Sequence, residues 1–320
     1  MKVFLAGATG AIGKRLVPML VAAGHEVAGM IRTPEKASAL LAAGAEPVVA
    51  DALNGEAVRD AVIRARPAVV IHELTALAKM RDLKHFDKEF ELTNRLRTEG
   101  TEHLLAAAQA AGAERFVAQS FTGWPNDRSG DRLKDENDEL DPNPPQAMSR
   151  SLDAIRRLEQ MVAGAAELTG VVLRYGALYG PGTSLGEDGD MTEMVRQRKL
   201  PIFGEGTGVW SFLHVDDAAQ AAVLAMERGN SGLYNIVDDE PAEVSDWLPD
   251  LARALGAKPP RHLPAWLGRL LIGEAGLSMM NSIRGSVNSK AKRLLRWQPL
   301  YPNWREGFRR GLSARDTVVV

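Results

Sequence analysis

Cysteine is absent from the 320 residues. That excludes a disulfide framework, thiolate metal sites and a cysteine nucleophile. Histidine is scarce, with six in the chain. None forms an HxH or HxxxH pair, so no metal centre is expected. No run of about 18 apolar residues occurs, so no membrane span is expected. The greasiest late segment, Leu263 to Leu277, is interrupted by Arg269, Glu274 and three glycines. It reads as an amphipathic or buried helix. The first residues show no basic stretch ahead of a long apolar one, so no signal peptide is read there and the cytoplasm is the expected location. A dominant charge is lacking too. Lysine and arginine number 39 against 41 acidic residues, a formal net charge of -2. Nothing in that balance draws the chain to nucleic acid or to an anionic membrane. Tyrosine is rare, with four residues at 175, 179, 234 and 301.

Short apolar runs alternate with longer helical patterns along the first half. KVFLA (2–6), EVAGMI (26–31), PVVA (47–50), AVVIH (68–72), RFVAQS (115–120) and VVLRY (171–175) read as strands. Helical patterns cover about 11–23, 34–43, 54–65, 88–111 and 150–168, several ending at a glycine. This alternation predicts an α/β fold, a Rossmann-type doubly wound parallel sheet with helices on both faces. After residue 176 glycines and prolines cluster, with helical patterns near 190–199, 245–255 and 263–272. HVDDAAQAAVLAME (214–227) and LYNIV (233–237) read as a return to the sheet. The expected organisation is a dinucleotide-binding domain of 1–175 plus about 208–240. A smaller, discontinuous substrate lobe takes about 176–207 plus 241–320. The stretch 127–141 holds seven acidic and three basic residues and reads as a solvated loop.

Gly7, Gly10 and Gly13 fall between the first strand and the first helix. In that context the first glycine permits a tight turn, the second a close approach of backbone to a diphosphate, and the third close packing of helix on sheet. Free N–H groups at the helix start would face the anion. The second strand ends in Arg32, with no acidic residue at 30–33. A guanidinium can hold a ribose 2′-phosphate bidentately, and Lys36 lies one turn beyond, so NADP(H) is favoured over NAD(H).

The GxxGxxG spacing resembles the short-chain dehydrogenase/reductase superfamily in its extended, epimerase/dehydratase-like branch. Arg174-Tyr175-Gly176 with Tyr179-Gly180-Pro181-Gly182, His214-Val215-Asp216-Asp217 and Tyr234-Asn235-Ile236 are similar to further elements of that branch. The closing KAKRLLRWQPLYPNWREGF resembles its last segment. The resemblance implies a cofactor held by Gly7, Thr9, Gly10, Ala11, Ile12 and Gly13, with Asp51 and Ala52 near the adenine. It adds Leu74, Asn94 and Tyr175 along the pocket.

The superfamily's chemistry rests on YxxxK, in which the lysine lies one helical turn from the tyrosine and lowers its pKa. No tyrosine here has lysine at the fourth following position. Taking Glu159 as the acidic residue of the active-site helix puts Ser151 in the tyrosine position and Ile155 in the lysine position. A slipped register offers Gln146 and Arg150 instead. The usual hydroxyl after the fifth strand falls on or beside Ser120, with Phe121 and Thr122 adjacent. Ser120, Thr122 and Tyr179 are therefore the catalytic candidates, with Tyr175 on the same pocket-bordering element as Tyr179, ahead of Asp153, Arg156 and His214. Three explanations stand open: another group supplies the proton, the reaction needs no strong acid, or the chain binds dinucleotide without chemistry.

Trp124, Met191, Met194, Trp210, Met279 and Met280 fall in the stretches that enclose substrate in this branch, which suits an apolar or aromatic small molecule. The reading is an NADP(H)-dependent oxidoreductase acting on a hydroxyl or carbonyl of a small organic substrate, with a non-standard proton donor. A nucleotide-sugar epimerase/dehydratase and a non-catalytic NADP-binding regulator are the alternatives. A homodimer is compatible with this reading.

Overall fold

The structure, a computed structural model, describes residues 1–77 and 82–313. The last residues of the expected substrate lobe, 314–320, lie outside them. The Rossmann-type sheet expected from the sequence is present. Its strands are β1 (Lys2–Ala6), β2 (Glu26–Ile31), β3 (Glu46–Val49), β4 (Val69–His72), β5 (Arg115–Phe121), β6 (Thr169–Tyr175) and β7 (Gly232–Ile236). All pairings are parallel, in the order β7-β6-β5-β4-β1-β2-β3.

A parallel sheet covered on both faces needs apolar residues at successive positions, with alternate side chains feeding opposite layers. Val3 and Leu5 of β1 enter one core with Val69, Ile71, Val171 and Leu173; Phe4 and Ala6 enter the other with Val70, Phe116 and Val172. The first layer holds α1 (Gly13–Ala22). The second holds α3 (Gly55–Ala65), while α2 (Ala37–Ala42) packs Leu40 into the first.

The long helical region expected at 88–111 is not one regular helix. It runs through α4 (Glu91–Arg95), a π-helical turn Leu96–Gly100 and α5 (Thr101–Ala110). Next come α6 (Ser149–Ala163), on the α5 side, and α7 (Val215–Arg228), on the α1 side. The pattern read to 168 overshoots α6, whose C-cap is Gly164; a Cβ there would meet the Gln160 carbonyl oxygen at 2.8 Å. The late apolar segment forms a longer helix than expected, α8 (Ala265–Asn281), broken at Gly273 where φ is +70°. It is not wholly buried: Trp266 is 70% exposed. α8 lies beside an aromatic cluster of Phe86, Phe90 and Trp124, and a third core gathers Tyr179, Phe212, Trp247, Trp304 and Phe308.

Two polar anchors fix α6. Asp87 accepts bonds from the N–H groups of Arg150 and Ser151 at the start of α6, at 3.0 and 2.9 Å. This satisfies donors that a helix N-terminus leaves open. Farther along α6, Glu159 takes a bidentate pair from Arg174 of β6, at 2.8 and 2.6 Å, and a bond from Ser120 Oγ of β5 at 2.7 Å. All three side chains are buried. Breaking such a pair leaves an uncompensated charge in the interior. Glu159→Ala is therefore expected to lower unfolding free energy by roughly 3–5 kcal/mol. Ser120→Ala, which removes one bond, is expected to cost about 1 kcal/mol. Urea unfolding followed by far-UV circular dichroism measures both.

Candidate functional site

The strand order reverses between β1 and β4, and ligands of open α/β sheets bind outside the carboxyl ends of strands at such a point. The glycine-rich turn leaves β1 there. Gly7 has φ +102°, and a Cβ on it would lie 2.6 Å from the Glu73 carbonyl oxygen. A Cβ on Gly13 would stand 2.2 Å from the Gly7 carbonyl oxygen, so α1 begins tight against the turn. Gly10 N–H closes the turn on the Gly7 carbonyl at 3.0 Å. Ala11 and Ile12 stand ahead of α1, and among the described residues their N–H groups have no partner within the protein. Thr9 is half-buried and Gly10 exposed, so the turn is open to a ligand.

Arg32 and Lys36 are exposed beyond the end of β2 and form no ion pair among the described residues. Asp51, past β3, is exposed and accepts the Leu53 N–H at 3.0 Å, while Ala52 is buried. Leu74, past β4, is half-buried. Gly182 approaches the start of α1, where a Cβ on it would be 3.8 Å from Ala11 Cβ. The turn, the ends of β4 and β6 and the 179–182 loop thus share one edge. These residues fit a dinucleotide: the first turn is a cradle that a Cβ would fill, with unpaired donors at a helix start.

One residue of this edge escaped the sequence reading. Glu73 follows β4 directly and is only 6% exposed. Tyr175 donates its hydroxyl hydrogen to Glu73 Oε1 at 2.9 Å, and Glu73 Oε2 is buried without a partner among the described residues. Burial pushes the Glu73 carboxyl up to about 8, against a smaller opposing effect of the Tyr175 bond. Burial, with Glu73 second, also holds the Tyr175 phenol well above its ordinary range. The signal was an acid placed at the carboxyl end of an otherwise apolar strand.

The positions estimated for the catalytic pair are filled by structure. Ser151 is fully buried; it donates its Oγ hydrogen to Asp87 at 2.6 Å and accepts from Asn94 Nδ2 at 3.0 Å. Asn94 is therefore a partner of the α6 start, with its Oδ1 buried and without a partner among the described residues. Ile155 is fully buried beside Phe86, Phe90 and Leu152. Gln146 and Arg150, from the slipped register, are exposed.

Of the other candidate hydroxyls, those of Ser120 and Thr122 are bonded within the protein, and that of Tyr179 is buried with no partner among the described residues. Ser120 serves Glu159, as above. Thr122 Oγ1 lies 2.6 Å from Ser286 Oγ in a buried network with Asn126. Tyr179 sits in the aromatic core of the C-terminal elements, 5.1 Å from the His214 ring and 5.4 Å from the Phe308 ring. A Cβ on Gly307 would overlap its hydroxyl. Tyr179 is fully buried, and burial raises its phenol well above the ordinary range. His214 caps α7, accepting the Asp216 N–H at 3.2 Å, with Nε2 2.9 Å from the Gly311 carbonyl. Asp153 and Arg156 pair at the surface. Of the apolar residues assigned to the substrate side, Trp124 and Met279 join the cluster around Phe86, while Met194 is exposed. Phe121 is half-buried beside Trp124, ring centroids 6.3 Å apart.

The model of the NAD dependent epimerase/dehydratase family matches residues 3–237. A 3-diazoavenalumate denitrifying reductase from Streptomyces sp is 46% identical over 313 residues, covering 97% of this chain and 100% of that protein. A ketoreductase of a farnesylated dihydroquinoline oxide from Stigmatella aurantiaca is 28% identical over 261 residues, 81% of this chain and 74% of its own. Among solved structures, UDP-glucose 4-epimerase of Thermotoga maritima with UDP-glucose superposes with a TM-score of 0.77 at 23% identity, covering 97% and 96% of the two chains.

The raised Glu73 proton affinity has a sign that can be checked. Between about pH 4.5, where the free side chain titrates, and about 8, the folded chain holds a proton that the unfolded chain has released. Glu73 therefore makes stability fall as pH rises through that window. Glu73→Gln removes this contribution and keeps an acceptor for Tyr175. Its melting temperature is expected to rise relative to the parent from pH 5 to pH 8, measured by differential scanning fluorimetry. A constant difference across the window would contradict the assignment.

Proposed function

The chain belongs to the NAD dependent epimerase/dehydratase family, and from that premise we propose that it is an NADPH-dependent reductase of an aromatic diazo acid. What supports this reading is the content of the positions estimated for the catalytic groups, with Phe121, beside Ser120, taken for the hydroxyl position after the fifth strand. Phe121, Ser151 and Ile155 supply no titratable proton, and the Ser151 hydroxyl is committed to Asp87. Reduction of a ketone develops an alkoxide that an acid must protonate. Reduction of an arenediazonium develops no oxyanion. The chemistry that a nicotinamide supplies when bound is a hydride, and a hydride added to the terminal nitrogen of the diazonium leaves a neutral diazene. The aryl carbon–nitrogen bond then breaks, N2 departs and the hydrogen ends on the ring carbon, so charge and electrons balance. The denitrifying reductase at 46% identity over 97% of the chain supports the same class of substrate.

The residues have definite tasks in this reading. Ala11 and Ile12 present N–H groups to the diphosphate. Arg32, with Lys36, takes the 2′-phosphate, as an unpaired guanidinium beyond β2 is suited to do. Asp51 and Ala52 meet the adenine side, and Gly182 closes against the first turn. Apolar Phe121 and Ile155, where other members hold polar catalytic groups, keep the reacting end dry. The half-buried ring of Phe121 favours a cationic, planar substrate. Ser120, Thr122 and Tyr179 hold the frame rather than the substrate, since each is buried and the two hydroxyls at 120 and 122 are bonded within the protein.

Two measurements test the reading. The purified protein is expected to oxidise NADPH with an aryl diazo acid and to release N2 mole for mole. Turnover of a ketone or of UDP-glucose without turnover of the diazo acid would overturn it; tight NADPH binding with no turnover would favour a regulator. Arg32→Glu is expected to weaken NADPH binding by roughly tenfold to a hundredfold, the worth of a charged hydrogen bond. NADH binding should hardly change, as read by nicotinamide fluorescence titration.

A further inference from the structure

The first half of α8 wears its residues inside out. A surface helix of a globular protein turns its apolar stripe inward and its polar residues to water. Over 265–272 the residue that meets the protein is Gly268, where a Cβ would stand 2.8 Å from Phe203 Cβ. The large apolar side chains face solvent instead: Trp266 is 70% exposed, Leu270 63% and Leu271 52%. Trp266 and Leu270 stand one helical turn apart and share a face. Gly273, with φ +70° and ψ -176°, ends this half before α8 runs on to Met279 in the cluster around Phe86.

The rim of this face is cationic. Arg269 is exposed on the same turns, and Lys258 and Arg261 are exposed on the loop that leads into the helix. Lys84 is exposed at the far end, its Cα 3.2 Å from where a Cβ of Gly273 would be. None of these four forms an ion pair among the described residues. Glu205, which lines a cleft with Ala265, and Glu274, past the break, oppose them, two acids against four bases. The formal net charge of -2 over the whole chain conceals this local excess.

Contiguous apolar side chains left in water mark an interaction surface. Size and charge choose its occupant. The half 265–272 is about 12 Å long, and its exposed face falls far short of the ~800 Å² per partner that a stable dimer buries. A two-fold contact would also set each cationic rim against its own copy. A lipid surface makes neither demand. It admits a few apolar side chains to shallow depth, favours tryptophan at headgroup level, and where anionic it attracts lysine and arginine. No helix among the described residues is long and apolar enough to cross a membrane, so such a contact lies on the bilayer.

We propose that the first half of α8 is a docking face for an anionic lipid surface. Trp266, Leu270 and Leu271 enter the headgroup region, and the four cations around them meet the lipid phosphates. The proposal is independent of the cofactor reading above.

Cosedimentation of the full chain with vesicles tests it. Vesicles of phosphatidylcholine and phosphatidylglycerol in equal parts are compared with pure phosphatidylcholine, at low and at high salt. The parent is expected to bind the anionic vesicles about tenfold or more tightly than the neutral ones, and to lose most of that margin in high salt. Trp266→Ser with Leu270→Ser is expected to weaken binding about tenfold or more. Arg261→Gln with Arg269→Gln is expected to remove most of the preference for anionic vesicles. All four positions are exposed, so melting temperatures are expected to match the parent. Tryptophan emission of the parent should shift to the blue on adding anionic vesicles, and the shift should shrink in Trp266→Phe, which keeps the apolar contact. No sedimentation with anionic vesicles, equal binding to neutral ones, or undiminished binding by the serine variant would overturn the proposal. A dimer that the serine variant abolishes, in a chain that ignores vesicles, would overturn it in favour of a second copy.

Discussion

The close contact between Gly7 and the carbonyl of Glu73 is the constraint on which the site depends. It sits where the sheet reverses its order, so β1 and β4 are neighbours while their following connections leave to opposite faces. Only a residue without a Cβ can make the turn there at φ +102°. That turn aims α1 at the edge of the sheet and leaves the Ala11 and Ile12 N–H groups open. The same contact brings Glu73 under the turn and leaves its side chain to be met by Tyr175.

A second dependency links the sheet to the later part of the chain. Asp217, at the start of α7, accepts the N–H groups of Leu300 and Tyr301 at 2.6 and 3.1 Å. Trp297 donates its indole N–H to the Asp217 carbonyl, and His214 reaches Gly311. Asp217 and His214 of the HVDD element therefore tie the closing segment to the helix that covers β6, while Asp216 pairs with Arg15 of α1. The pocket edge is built from both parts of the chain, and these bonds hold the two in register.

On the register that takes Glu159 as the acidic residue of the active-site helix, the positions of the catalytic pair are reused. Where a tyrosine would donate a proton, Ser151 joins Asp87 and Asn94 in capping α6. Where a lysine would lie, Ile155 extends an apolar stripe into the cluster around Phe86 and Phe90. On that register a proton-donating pair is replaced by a cap and a core residue, and the helix keeps its place without the pair. Reactions that develop negative charge on oxygen are poorly served by such a helix. A substrate that starts as a cation and ends neutral makes no such demand.

The sheet, its parallel order and the glycine turn were legible in the sequence because each is a local pattern. Apolar runs at the strand period, helices between them and three spaced glycines carry their meaning within a few residues. The absent YxxxK was equally legible, since it is a matter of spacing on one helix. The π-helical turn at Leu96–Gly100 and the extension of α8 to Asn281 were not, because packing against neighbours decides them over propensity. The hydroxyls of Ser120, Thr122 and Ser151 looked available as residue types. Only the folded chain commits them, to Glu159, Ser286 and Asp87. The Glu73–Tyr175 pair joins residues 102 apart. No local pattern encodes such a meeting: the sheet order sets it by bringing the ends of β4 and β6 to one edge, and burial then changes the proton affinity of what meets there.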